Sequence, residues 1–170
     1  MKKVLYAAVL WLLALPLYAQ VALKTEGLDT AYVASIVKRS QKIVDGLQLN
    51  DAQKAENVRN IIANRYFLLN DIHSKYGKDK QAERDAELYK HHFELASALA
   101  LYLTDEQIDA VKDGMTFGRL PRDYQATQDM IPTLSDFEKQ QILILLKEAR
   151  EYAMDAADSK GKHFWFDKYR

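Results

Sequence analysis

The sequence predicts an all-α protein, a multi-helix bundle with one irregular Gly/Pro-containing crossover segment. Three observations carry this. Apolar residues recur at spacings of three and four along most of the chain, the period of a helix with one buried face. Where such a stripe begins, Asn50, Thr104 and Ser135 each precede a Gln or Glu by three residues. In that arrangement the cap and the third residue satisfy each other's free N–H groups. Only six Gly and three Pro occur in 170 residues, few for the turns of a β architecture, and no convincing period-two alternation appears.

Residues 1–19 read as a signal peptide. Met1-Lys2-Lys3 is positive, Val4 to Leu17 is apolar and broken only by Pro16, and Ala19 offers a small residue before Gln20. The run is short for a spanning helix. The expectation is a periplasmic or secreted protein with one helical domain over 20–170 and no membrane span after cleavage. Within that domain Asp29 or Thr30 caps a helix with apolar positions Val33, Ile36, Val37, Ile43, Val44 and Leu47, and Gly46 stands at its C-terminal cap. A second helix opens at Asn50 and carries Val58, Ile61, Ile62, Leu69 and Ile72 to Gly77, which reads as a turn between two helices, with one long bent helix as the alternative because Gly is tolerated inside helices. Lys78 to Glu87 alternates in sign and reads as a solvated face. The stripe resumes at Leu88, Phe93, Leu95, Ala96, Leu99 and Leu103. Helices then start at Thr104 and Ser135. The second of these holds Ile142 to Leu146 consecutively, which predicts burial nearly all round at the centre of the bundle.

Composition removes several functions. No Cys excludes disulfides, thiol catalysis and cysteine metal sites. Lys and Arg together equal Asp and Glu, 24 of each, so there is no bulk attraction to nucleic acid. No Gly-x-Ser-x-Gly turn, phosphate-cradling loop or dinucleotide fingerprint occurs, and no cofactor is expected. Four His are present, none in a His-Glu-x-x-His pattern. Glu87 and His91 share a helix face, where a hydrogen bond is the commoner role, and no metal site is expected.

The candidate binding residues lie mainly in the crossover from Gly114 to Leu134, which contains Gly118, Pro121 and Pro132. Long ordered connections are more often functional than short ones. Arg119 and Arg122 carry forks suited to carboxylates, and Tyr124 supplies a flat face. The structural alternative has the arginines pairing with Asp123, Asp129 or helix ends and the aromatics plugging the core. Trp165, in the aromatic run His163-Phe164-Trp165-Phe166, is the candidate stacking partner, with two of these three rings expected to anchor the chain end and at least one to stay exposed. His163 is expected to bond locally. Carboxylates available for acid–base work are Asp123, Asp129, Glu148 and Glu151.

Two resemblances follow from longer motifs. Asp113-Gly-Met-Thr-Phe-Gly118 with the Pro and Tyr behind it, Glu148-Ala-Arg-Glu-Tyr-Ala-Met-Asp-Ala156, Lys162-His-Phe-Trp-Phe-Asp-Lys-Tyr169 and Asn70-Asp-Ile-His73 resemble an uncharacterised family, domain of unknown function 3826. That resemblance implies an exported protein of Bacteroidetes-type, polysaccharide-degrading bacteria, and carries no catalytic roles. Members of that family are similar in this stretch but continue past the Lys-Tyr pair, whereas this sequence stops at Arg170, so the resemblance implies a final helix that is incomplete or has lost its packing role. The phrases at 49–53, 103–107 and 134–138 resemble those of small periplasmic stress chaperones of the Spy type, although good helix starts require the same residues. The function expected is a non-catalytic exported binding or accessory protein assisting polysaccharide use, its partner an acidic oligosaccharide or a protein. The alternatives are a glycan-acting enzyme using carboxylates near residues 114–134 and a Spy-like chaperone.

Overall fold

Most of the long helices begin at a side chain that accepts from the helix's own first turn. The computed structural model describes residues 20–169, so the expected signal peptide lies outside the described residues. α1 spans Thr30–Asp45, with Asp29 accepting from the Tyr32 N–H at 2.8 Å. α2 spans Ala52–Lys75 and is capped by Asp51, which accepts from the Lys54 N–H at 3.0 Å, one residue after the expected Asn50. The chain turns at Tyr76–Gly77 into a single 3-10 turn, Lys78–Lys80, and continues as α3, Gln81–His91, and α4, Glu94–Leu99. α5, Asp105–Met115, and α7, Asp136–Met154, start at complete capping boxes, Thr104 with Gln107 and Ser135 with Glu138. Between them lies α6, Arg119–Met130, and the last helix is α8, Ser159–Lys168. Among the described residues there is no strand, and no helix is long and apolar enough to cross a membrane.

The Gly/Pro-containing crossover therefore carries a helix of its own. Pro121 sits in the first turn of α6, where a backbone N–H has no helical partner to lose. The irregular backbone shrinks to two short corners. At the first, the Gly118 N–H donates to Asp113 O at 2.8 Å and the Phe117 N–H to Gly114 O at 3.4 Å, the paired bonds that close a helix C-terminus. The left-handed position in this motif falls on Phe117, at φ 61, with Gly118 following at the same φ. Gly114 has a different use: a Cβ there would stand 3.0 Å from the Ile43 side chain, so its bare backbone lets α5 approach α1.

Two larger apolar cores form, beside a small cluster of Leu69 and Ile72 of α2 with Leu88 of α3. The larger draws Ile36 and Val44 of α1, Val58, Ile62 and Phe67 of α2, Leu95 and Leu99 of α4, and Val111 and Met115 of α5 together with Met154. The smaller joins Leu120 of α6, Leu146, Ala149 and Ala153 of α7, and Phe166 of α8, the last 1% exposed. Two sequence expectations change here. Phe93 leaves the buried stripe and is 62% exposed, because α3 ends at His91 and α4 begins only at Glu94, so the helical period is interrupted at residues 92–93. The Ile142 to Leu146 run is not surrounded: Ile144 is 50% exposed, Leu145 is exposed too, and Leu146 alone of the five is buried. α7 lies at the surface of the bundle and buries a single stripe, as helical geometry allows.

Residues 20–25 run extended along α2, clamped by asparagines one turn apart. Asn57 Oδ1 accepts from the Val21 N–H at 2.9 Å, Asn60 Nδ2 donates to Val21 O at 2.7 Å, and Asn64 bonds both Lys24 N and Ala22 O at 2.9 Å. Spacings of three and four put all three amides on one helix face, where they replace the missing sheet partner of the extended segment.

Candidate functional site

The groove of interest arises where the second core's helices meet α3. It encloses about 720 Å³ between the C-terminal end of α2, α3, the His92–Phe93 junction, the C-terminal half of α7 and α8. Its aromatic wall is built by helix register. Trp165 on α8 stacks on Tyr152 of α7, centroids 4.6 Å apart and planes at 20°, and Tyr169 continues the stack 6.4 Å beyond Tyr152. Phe164 meets Trp165 edge-on at 5.6 Å and is itself exposed. Opposite, Tyr89 and Phe93 form an exposed edge-to-face pair at 6.2 Å. Tyr89, Phe93, Phe164 and Tyr152 are each exposed on this one face.

The polar wall is acidic. Glu148 accepts from the Tyr169 hydroxyl at 3.0 Å, and Glu151 receives Lys112 Nζ at 2.9 Å. Asp155 organises the floor. Its carboxylate is paired with the buried Arg65 guanidinium and accepts from His92 Nδ1 at 2.7 Å, while its backbone carbonyl accepts from His73 Nε2 at 2.8 Å. Arg65 also donates to His91 O at 2.8 Å, tying α2 to the α3–α4 junction. The bond to Asp155 raises the His92 pKa above its ordinary value of 6.5, against the opposing effect of burial. His92 Nε2 faces Glu151 at 3.8 Å. Below the floor Lys162, 4% exposed, donates to Ala153 O at 3.0 Å. Burial pushes its pKa down to about 8.

Of the residues singled out in the sequence, Trp165 lines this groove and Arg119, Arg122 and Tyr124 do not. Arg119 is buried and fully engaged. Nε donates to Asp123 at 2.7 Å, one terminal nitrogen to Asp167 at 2.6 Å, and the other to His163 Nδ1 at 2.6 Å. A guanidinium has no acceptor, so that ring nitrogen accepts. His163 is thus bonded 44 residues away rather than locally. Arg122 is exposed, with Asp123 at 3.7 Å, and Tyr124 packs against the smaller core. Arg119 and Tyr124 occupy the structural role weighed for them in the sequence. Glu148 and Glu151, named there as acids, do reach the groove. His92 and Asp155 were not singled out, because their meeting depends on a helix break at residue 92 that no Gly or Pro announces. His91, on the other face, bonds Glu94 at 2.9 Å and lies 3.6 Å from Glu87.

A comparison with curated proteins found no match. The family model described as a protein of unknown function, DUF3826, matches residues 33–83 and 77–170, and the chain belongs to that family.

Proposed function

We propose that this protein is an exported, non-catalytic binding protein that holds an uncharged oligosaccharide in the groove between α3, α7 and α8. The reading rests on one observation: the Trp165–Tyr152 stack and the exposed rings of Phe164, Phe93 and Tyr89 share one cavity with carboxylates. Aromatic faces pack on the C–H faces of pyranose rings, and carboxylates accept from sugar hydroxyls. An acidic wall disfavours uronates in this groove, and the engagement of Arg119 speaks against the acidic-sugar site expected at the crossover. Asp123, the carboxylate an enzyme in residues 114–134 would use, is held by the same arginine.

Trp165 is the single tryptophan from Gln20 onward, so its fluorescence reports on the groove alone. Titration with neutral gluco-, xylo- and manno-oligosaccharides is expected to give a saturable change. By calorimetry Phe164→Ala weakens binding roughly tenfold, the equivalent of about 1.4 kcal/mol. Absence of saturation with every neutral oligomer rejects the reading, and release of shortened products moves the protein to the enzyme class.

A further inference from the structure

A second cavity, about 1320 Å³, lies along α1 and shares no lining residue with the aromatic groove. Its wall carries Lys38, Arg39 and Lys42 of α1 and Arg59 of α2, against Asp45 as the one acid. Several cations of the other helices are paired. Arg150 meets Asp109 and Asp113, Arg119 meets Asp123 and Asp167, and Lys112 meets Glu151. Among the described residues Lys38, Arg39 and Lys42 meet no carboxylate, and Arg39 instead lies 5.6 Å from the Tyr66 ring centroid. Lys38 and Lys42 are one turn apart on the same face, where like charges repel. The floor is apolar, from Val37, Ile43 and Leu47, and the exposed Phe117 stands at the edge on its left-handed backbone. Three cations without a carboxylate partner thus lie along one concave, partly apolar surface, against local stability.

We infer that this cavity binds an anionic oligosaccharide, its carboxylate or sulfate groups on Lys38, Arg39 and Lys42 and its rings over the apolar floor. The lysines' α-carbons are spaced by about 6 Å of helix rise, which suits acidic groups repeated along a chain rather than one isolated ion. The volume exceeds what a single phosphate fills. The surface is concave, which suits a chain segment better than a flat lipid headgroup layer.

The test is calorimetric titration with a galacturonate hexamer and with a sulfated hexasaccharide of heparin type, at low and at physiological salt. Binding by one of them is expected and identifies carboxylate or sulfate as the group recognised. Added salt weakens it. The double variant Lys38→Gln/Lys42→Gln loses roughly tenfold or more in affinity, with a melting temperature that does not fall, because both side chains are exposed and their mutual repulsion is removed. Trp165→Ala leaves it intact, which separates this site from the aromatic groove. No binding of either oligomer, or undiminished binding in the double variant, overturns the inference. So does loss of binding in Trp165→Ala, which assigns the ligand to the groove. Sedimentation with phosphatidylserine vesicles that depends on Lys38 and Lys42, without oligomer binding, overturns it in favour of a membrane surface.

Discussion

Asp155 has two titratable neighbours with opposite consequences for stability. His92 gains a carboxylate on folding and its pKa rises above 6.5. Its contribution is therefore full below pH 6.5 and is lost as pH climbs through the folded pKa. Thermal melts of the wild type and His92→Gln should differ most near pH 5.5 and converge at alkaline pH. Lys162 runs the other way. Folding lowers its pKa from 10.5 to about 8, so between those values the unfolded chain holds the extra proton and stability rises with pH. Relative to Lys162→Met, the wild type should gain about 3 kcal/mol across that window in the ideal limit, measured by urea unfolding. The carbonyl of Ala153, which accepts from Lys162 at 3.0 Å, supports the charged form and reduces the gain.

Among the elements, the extended segment at 20–25 depends on α2 for its backbone partners. It has no helical or sheet bonds of its own, and Val21 N and O, Ala22 O and Lys24 N are bonded by Asn57, Asn60 and Asn64. Asn60→Ala removes the amide that holds Val21 O, at a cost of about 1–2 kcal/mol for a buried carbonyl left without its donor. Hydrogen exchange at Val21 and Lys24 should accelerate before that of the α2 interior. The capping boxes of α5 and α7 were visible because a cap and its partner lie three residues apart. The asparagine ladder was not, because its meaning appears only when a segment more than 30 residues upstream lies against it.

At the scale of the described molecule, the two larger apolar cores are bridged by polar contacts. Arg150, 2% exposed, reaches Asp109 at 2.5 Å and Asp113 at 2.7 Å, binding α7 to α5. Arg65, also buried, reaches Asp155 from α2, and His92 joins from the α3–α4 junction. Buried charges of this kind add little over an apolar pair while intact, yet removing one partner strands the other. Asp155→Ala leaves Arg65 without its counter-charge and should cost roughly 3–5 kcal/mol by denaturant unfolding. It also frees His92, so the pH dependence assigned to that residue should vanish in the same variant. A merely local defect would leave that slope in place.

Helix starts and the all-α class are legible in the sequence because each depends on residues within a turn or two of each other, whereas the pattern at Gly77 fits a turn or a bent helix and the structure has the turn. That at least one ring of Phe164, Trp165 and Phe166 stays exposed follows likewise from helical spacing, while the structure decides that it is Phe164. Placement of side chains between helices is another matter. Periodicity reports how many faces are apolar but not which neighbour covers them, so the Ile142 to Leu146 run looked central and lies at the surface. The same limit hid the groove. Trp165, Glu148 and Glu151 were chosen on chemistry, while Arg119 was chosen on chemistry and turned out to be a structural tie. Local propensity is written in short spacings that a single chain displays. Which acid meets which cation is decided by packing over separations of 37 to 90 residues, where burial and charge pairing are settled together.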